Sequence, residues 1–144
     1  VDESRLIFAK RMKLPDHLAR HKLADLFIDT IPYNAHTTCS DALWALLPVL
    51  TIAGESFASR VSASLLTAVG LEEMIVDNFV DYEERAVEFA INREKLQLVK
   101  EKLQKNRLTM PLFDTKLFTS DLEKAYKIMY NKYQNNLKFD DIEI

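Results

Sequence analysis

Three short apolar runs recur at nearly even spacing: "LIFA" at residues 6–9, "LFID" at 26–29 and "VLTIA" at 49–53. A strand with one face in water alternates apolar and polar residues, because successive side chains point to opposite faces. These runs hardly alternate, which is the pattern of strands covered on both faces in a parallel sheet. Their starts lie 20 and 23 residues apart, and the stretches between them carry helix signals. Pro15 opens "PDHLARHKLA" at a favourable early-helix position. Thr37 or Thr38 can cap "TTCSDALWALL", and Pro48 stops it. That rhythm predicts successive βαβ units with right-handed crossovers: an α/β, Rossmann-like parallel sheet.

Beyond the third run, "GESFASR" reads as a turn into a helix with Phe57, Val61, Leu65 and Ala68 on one apolar stripe. From residue 71 the pattern reads as helical throughout. "FVDYEERAVEFAI" places Tyr82, Ala86, Phe89 and Ala90 on one face. "REKLQLVKEKLQKNR" places Leu96, Val99 and Leu103 on one face and pairs Glu101 with Lys105 on another. "LTMPLFDTKLF" reads as irregular around Pro111. The last helix is expected to open at "SDLE", where Ser120 and Glu123 have capping-box spacing. It would bury Leu122, Tyr126, Met129 and Tyr133 and run to about Asn136. No repeat or linker interrupts the chain, so it reads as one domain, with a βαβαβα part over 1–70 and a helical part over 71–144.

The 144 residues suffice to bury a core. No run approaches the 18 apolar residues of a membrane-spanning helix, and the first ten residues lack a secretory-signal pattern. Cys39, the single cysteine, cannot form an internal disulfide and fits a reducing compartment; it reads as a small buried residue. The expected location is the cytoplasm, away from membranes. A net charge of −3 gives no reason to expect a nucleic-acid partner. Residues 5–22 are locally basic, with Arg5, Lys10, Arg11, Lys13, Arg20 and Lys22 against Asp16 alone. Such a zone is either solvated surface or an attractor for a small anion. No cluster has metal-ligand spacing, so no metal is expected. Trp44 and the tyrosines of the last helix read as core, His21 as surface, and Arg60 as a member of a structural salt bridge.

The stretch "NAHTTCSDALW" (34–44) places His36, Thr37 and Thr38 where a helix follows the second apolar run. In parallel α/β sheets, ligands bind beyond the carboxyl ends of strands, where the next helices begin. The first amides of a helix lack intrahelical partners, and its dipole adds partial positive charge. A diphosphate fits there, held by amides, by the hydroxyls of Thr37 and Thr38, and by His36. Asp41, one turn further in, would repel phosphate and suits neutral ribose hydroxyls. The plain alternative is that these residues only cap the helix and complement its dipole. With only Gly54 and Gly70, the chain has no glycine-rich phosphate loop, which argues against a dinucleotide dehydrogenase or a P-loop nucleotidase.

"LADLFIDTIPYNAHTTCSDALWALLPVLTIAGESFASRVSASLL", extended through "PLFDTKLFTSDLEKAYKIMY", closely resembles the C-terminal catalytic segment of the O-linked N-acetylglucosaminyltransferase family. That family includes the SPINDLY-type transferases. The resemblance covers residues 4 to 135. It implies part of the C-terminal lobe of a two-lobed, GT-B-type glycosyltransferase, often preceded by tetratricopeptide repeats. The implied chemistry is inverting, metal-independent transfer of N-acetylglucosamine from UDP-GlcNAc to Ser or Thr of proteins, with no cofactor besides the donor. A GDP-fucose donor or a non-catalytic binding module remains as an alternative. By resemblance, His36, Thr37 and Thr38 contact the donor diphosphate, Asp41 the ribose, and His17 stacks on the base. The family's lysine near the base falls at Leu14, so Lys13 beside it is the weaker candidate. Where the family often has glycine, this chain has Cys39 and Leu46. The resemblance further implies that an N-terminal lobe supplies most acceptor and sugar contacts. The chain alone would then be inactive and prone to self-association. No catalytic base is assigned.

Overall fold

The computed structural model describes residues 2–144. At its centre is a three-stranded parallel sheet ordered β1–β2–β3: Phe27–Ile28, Val49–Ile52 and Ile75–Val76. Phe27 pairs with Val49 and Ile28 with Leu50; Thr51 pairs with Ile75 and Ile52 with Val76. All four β2 residues are buried, as an unbroken apolar run requires when both faces are covered. Helix α1 (Leu14–Arg20) precedes β1. Helix α2 (Thr37–Trp44) joins β1 to β2, and α3 (Val61–Ala68) lies between β2 and β3. Strands stepping in one direction through right-handed crossovers place both helices on one face, and α2 and α3 do pack together. Helix α4 (Phe79–Ile91) packs on β2 and α5 (Arg93–Asn106) packs on α4, which covers the other face. Helix α6 (Thr115–Gln134) follows. No helix among the described residues is long and apolar enough to cross a membrane.

One apolar cluster runs from Ala35 to Leu103, so the sheet and the helices beyond residue 71 share a core. The expected face of α5 (Leu96, Val99, Leu103) is buried. Phe89 of α4 is buried too, with Tyr82 and Ala86 packed beside it, while Ala90 is exposed. Glu101 accepts a hydrogen bond from Gln97 rather than meeting Lys105.

Several expectations are corrected. Residues 6–9 form no strand, and Ile7 and Phe8 are 90% exposed. A strand exists only where a neighbour supplies its hydrogen bonds, and β1 pairs on one edge alone, with β2. The reading of 71 onward as all helix misses β3, because two residues carry no periodicity. The Phe57 stripe holds only in part: Phe57 sits exposed in a 3-10 turn, Leu65 packs half-buried against the core, and the fully buried residues of α3 are Ser62 and Leu66. Helix α6 starts five residues before Ser120, capped by the Asp114 side chain, which accepts from the Leu117 amide. Its Leu122, Tyr126, Met129 and Tyr133 are exposed. Trp44 is also exposed, lying edge-on to Phe113 with the Arg107 guanidinium 4.9 Å from its ring.

Helices α2, α3 and α6 end alike. Leu46, Gly70 and Asn136 take left-handed φ values of 68°, 69° and 51°. The residue after each donates to a carbonyl five back: Leu47 to Ala42, Leu71 to Leu66, Leu137 to Lys132. This is the Schellman termination, whose left-handed position suits glycine. Leu46 therefore adopts a strained conformation, and half-burial of its side chain offsets part of that cost. At Gly70 a Cβ would also lie 2.9 Å from Asn106 Nδ2, which donates to the carbonyls of Val69 and Gly70. Gly70→Ala is expected to cost about 2 kcal/mol and roughly 6 °C of melting temperature, read by thermal denaturation. An unchanged midpoint would remove this account.

Candidate functional site

The site is built from the carboxyl end of β1. Asp29, directly after Ile28, is buried. Its Oδ1 accepts from the amides of Thr30 (2.8 Å) and Ala35 (2.7 Å), and its Oδ2 accepts from the Thr51 hydroxyl on β2 at 2.6 Å. Its carbonyl accepts from the Tyr82 hydroxyl at 2.7 Å. One side chain thus folds the loop 30–35 back onto the sheet. The loop is further tied by the Asn34 amide to the Ala58 carbonyl and by the Ser62 hydroxyl to the Ala35 carbonyl. The fixed loop delivers His36 to the start of α2.

His36, not a threonine, occupies the N-cap position, at φ −102° and ψ −92°, and no side chain caps the helix. This corrects the expected Thr37 or Thr38 cap. Both threonines are exposed. Among the described residues, neither hydroxyl and neither amide nitrogen of the pair has a hydrogen-bond partner. The His36 ring stacks on Tyr33 at 4.9 Å and meets Phe57 edge-on at 6.0 Å. Its Nε2 is shielded from solvent and has no hydrogen-bond partner. A shielded polar atom without a partner costs about 1–3 kcal/mol.

Asp41, one turn into α2, lies with its Oδ2 3.6 Å from Nε2 of His17 on α1. The structure therefore brings together two residues 24 positions apart in the chain. His21, expected at the surface, is buried. It packs edge-on against His17 at 4.8 Å, and its Nδ1 lies 2.8 Å from the His17 carbonyl, so it props the end of α1. Lys13 precedes α1 as its N-cap residue and is exposed. Arg60 forms no ion pair among the described residues; its guanidinium donates to the Gly54 carbonyl at 3.1 Å. Of residues 36–41, Thr37 and Thr38 are exposed, His36, Ser40 and Asp41 half-buried and Cys39 buried; a groove of about 670 Å³ lies elsewhere, beside Ile28 and Phe89.

Sequence reasoning missed Asp29 and His21. The available signal for Asp29 was an acid closing an apolar run; for His21 there was none. Cys39 is fully buried, and burial pushes its thiol up to about 12, with Asp29 adding to the rise and Ser62 opposing it. Burial, then Asp29, likewise raises the Tyr82 phenol to about 12. Each folded group holds its proton more tightly than the unfolded one. Their stabilisation is complete below pH 9.0, the ordinary thiol value, and is lost as pH rises toward about 12. The folded protein is expected to resist iodoacetamide at pH 8, and its denaturation midpoint to fall above pH 9. Prompt alkylation at pH 8 would contradict the buried thiol.

The sequence profile described as Glycosyl transferase family 41 matches residues 1–122. The chain belongs to glycosyltransferase family 41. It is 42% identical over 132 residues to a protein of Arabidopsis thaliana named "Probable UDP-N-acetylglucosamine--peptide N-acetylglucosaminyltransferase SEC", covering 91% of this chain and 14% of that protein. It is 33% identical over 142 residues to the UDP-N-acetylglucosamine--peptide N-acetylglucosaminyltransferase of Caenorhabditis elegans, covering 99% of this chain and 12% of that one. A solved structure of a mutant O-GlcNAc transferase from Thermobaculum terrenum superposes with a TM-score of 0.83 at 32% identity. That match covers 88% of this chain and 24% of the other. The family 41 chain thus has the α/β fold of the C-terminal region of a GT-B transferase.

Proposed function

We propose that this family 41 chain is the donor-binding part of a protein O-glycosyltransferase that moves N-acetylglucosamine from UDP-GlcNAc to serine or threonine hydroxyls. The observation that carries the reading is the start of α2, where two exposed threonines with unpaired amides directly follow His36 at the N-cap. Breaking the glycosidic bond leaves negative charge on the departing diphosphate. Free amides at the positive end of a helix, with adjacent hydroxyls, stabilise that charge without reorganising and without a metal ion. In this reading His36, Thr37 and Thr38 hold the diphosphate, Asp41 the ribose and His17 the base. The 3.6 Å approach of His17 to Asp41 supports that arrangement, because base and ribose are covalent neighbours. The names of the relatives support the donor and the acceptor class. In this reading an N-terminal lobe supplies most acceptor and sugar contacts, no residue of this chain is assigned as the catalytic base, and the chain alone is expected to be inactive.

Isothermal titration calorimetry tests this with UDP and GDP in parallel. Saturable heat with UDP, reduced in His17→Ala, is the expected result. Heat with GDP alone would change the donor, and no heat with either would make the chain a non-catalytic module.

A further inference from the structure

Two surfaces away from the start of α2 carry opposite charge. The first lies along α4. Its inner residues Tyr82, Ala86 and Phe89 pack on the core, yet Val80, Val87 and Ile91 recur at i, i+7 and i+11 and are all exposed. Together with β3 they line a groove of about 850 Å³. Its rim is acidic: Asp77, Asp81, Glu83 and Glu84 line it and form no ion pair among the described residues, while the nearby cations Arg85 and Lys95 both pair with Glu88. The sheet also ends here. β3 pairs with β2 alone, so its outer edge is a template on which an extended segment can add as a further strand. The Asp77 amide, directly after β3, has no hydrogen-bond partner among the described residues.

The second surface is "RLIFAKRMK" at residues 5–13. Residues 6–13 belong to no helix or strand, and Leu6, Ile7, Phe8 and Met12 are exposed. Arg5, Lys10, Arg11 and Lys13 surround them, with no acid in the segment. An apolar run of this kind left in water marks a contact surface. It has the composition of a strand and lacks only an edge to pair with.

We infer that the chain associates head to tail, residues 5–13 of one copy lying along the α4–β3 groove of the next. Residues 6–9 add to the outer edge of β3 and set apolar side chains against Val80, Val87 and Ile91. The basic residues on either side meet the acidic rim. Two different patches make the contact, so it is heterologous, and each joined pair keeps one free groove and one free segment. This inference is independent of the donor reading of residues 36–41.

Sedimentation velocity over a concentration series tests it with the unaltered chain and two double variants. Glu84→Lys with Val87→Lys spoils the groove, and Ile7→Asp with Phe8→Asp spoils the segment. All four side chains are exposed, so both variants should keep the fold, which circular dichroism checks. Each variant alone is expected to associate about tenfold more weakly than the unaltered chain, or less still. Mixed, the two should form a dimer and nothing larger, because one brings an intact segment and the other an intact groove. Association of the unaltered chain should weaken between about 0.05 and about 0.5 M salt, as the rim charges are screened. Undiminished association in either variant would overturn the inference and move the contact to another face, such as the exposed stripe of α6. Failure of the mixture to dimerise while the unaltered chain associates would overturn it too, since the contact would then not join these two patches. A chain that stays monomeric at every concentration would leave both surfaces to partners other than a second copy, and the inference would fall.

Discussion

Replacing Asp29 with alanine is expected to lower the unfolding free energy by about 3 kcal/mol or more, the largest loss from any single side chain near the site. The arithmetic follows from what is left behind. The Ala35 amide and the Thr51 hydroxyl are buried, and each loses its acceptor at 2.7 and 2.6 Å. An unsatisfied buried donor costs about 1–3 kcal/mol, and two are created. The exposed Thr30 amide can turn to water. Asp29→Asn separates this account from a general intolerance of change at residue 29. Its remaining oxygen can still accept from both amides, and its NH₂ can donate to a Thr51 hydroxyl that reverses its role. The asparagine variant should lose about 1 kcal/mol, and denaturant titration of both gives the comparison. Equal losses, or an alanine variant within about 0.5 kcal/mol of the unaltered protein, would show that the carboxyl is not the anchor of the loop. UDP affinity should fall with stability in the alanine variant and survive in the asparagine variant, because the same loop delivers His36.

The second large effect concerns rate and spares stability. In the intact protein, Thr38→Val is expected to slow sugar transfer by about 10²-fold, the usual consequence of removing one preorganised donor from a developing negative charge. Valine keeps the shape and removes only the hydroxyl. That hydroxyl has no partner among the described residues and its side chain is exposed, so the melting temperature should stay within about 2 °C. Thr38→Ser restores the donor and should restore most of the rate. Single-turnover transfer from UDP-GlcNAc to a peptide measures it. Normal transfer in Thr38→Val would remove the hydroxyl from the mechanism. A slow variant that also melts early would reassign Thr38 to folding.

The sequence by itself determined the α/β class, strands β1 and β2, the buried faces of α4 and α5, and the place where α2 begins. Each of these is written in local periodicity or in a local stop, which a few consecutive residues encode. It also determined the resemblance that led to His36, Thr37, Thr38 and Asp41. Tertiary structure alone decided the rest. The two residues of β3 are a strand only because β2 offers them an edge, and "LIFA" is none because no strand pairs with it. Asp29 becomes an anchor only when Thr51, 22 residues away, lies beside it. His17 meets Asp41, and Tyr33 and Phe57 flank His36, through packing between separate elements. The tyrosine stripe of α6 has the spacing of a core face and remains exposed. Periodicity states which side of a helix could be buried; burial itself needs a second surface, and that is a property of the assembled fold.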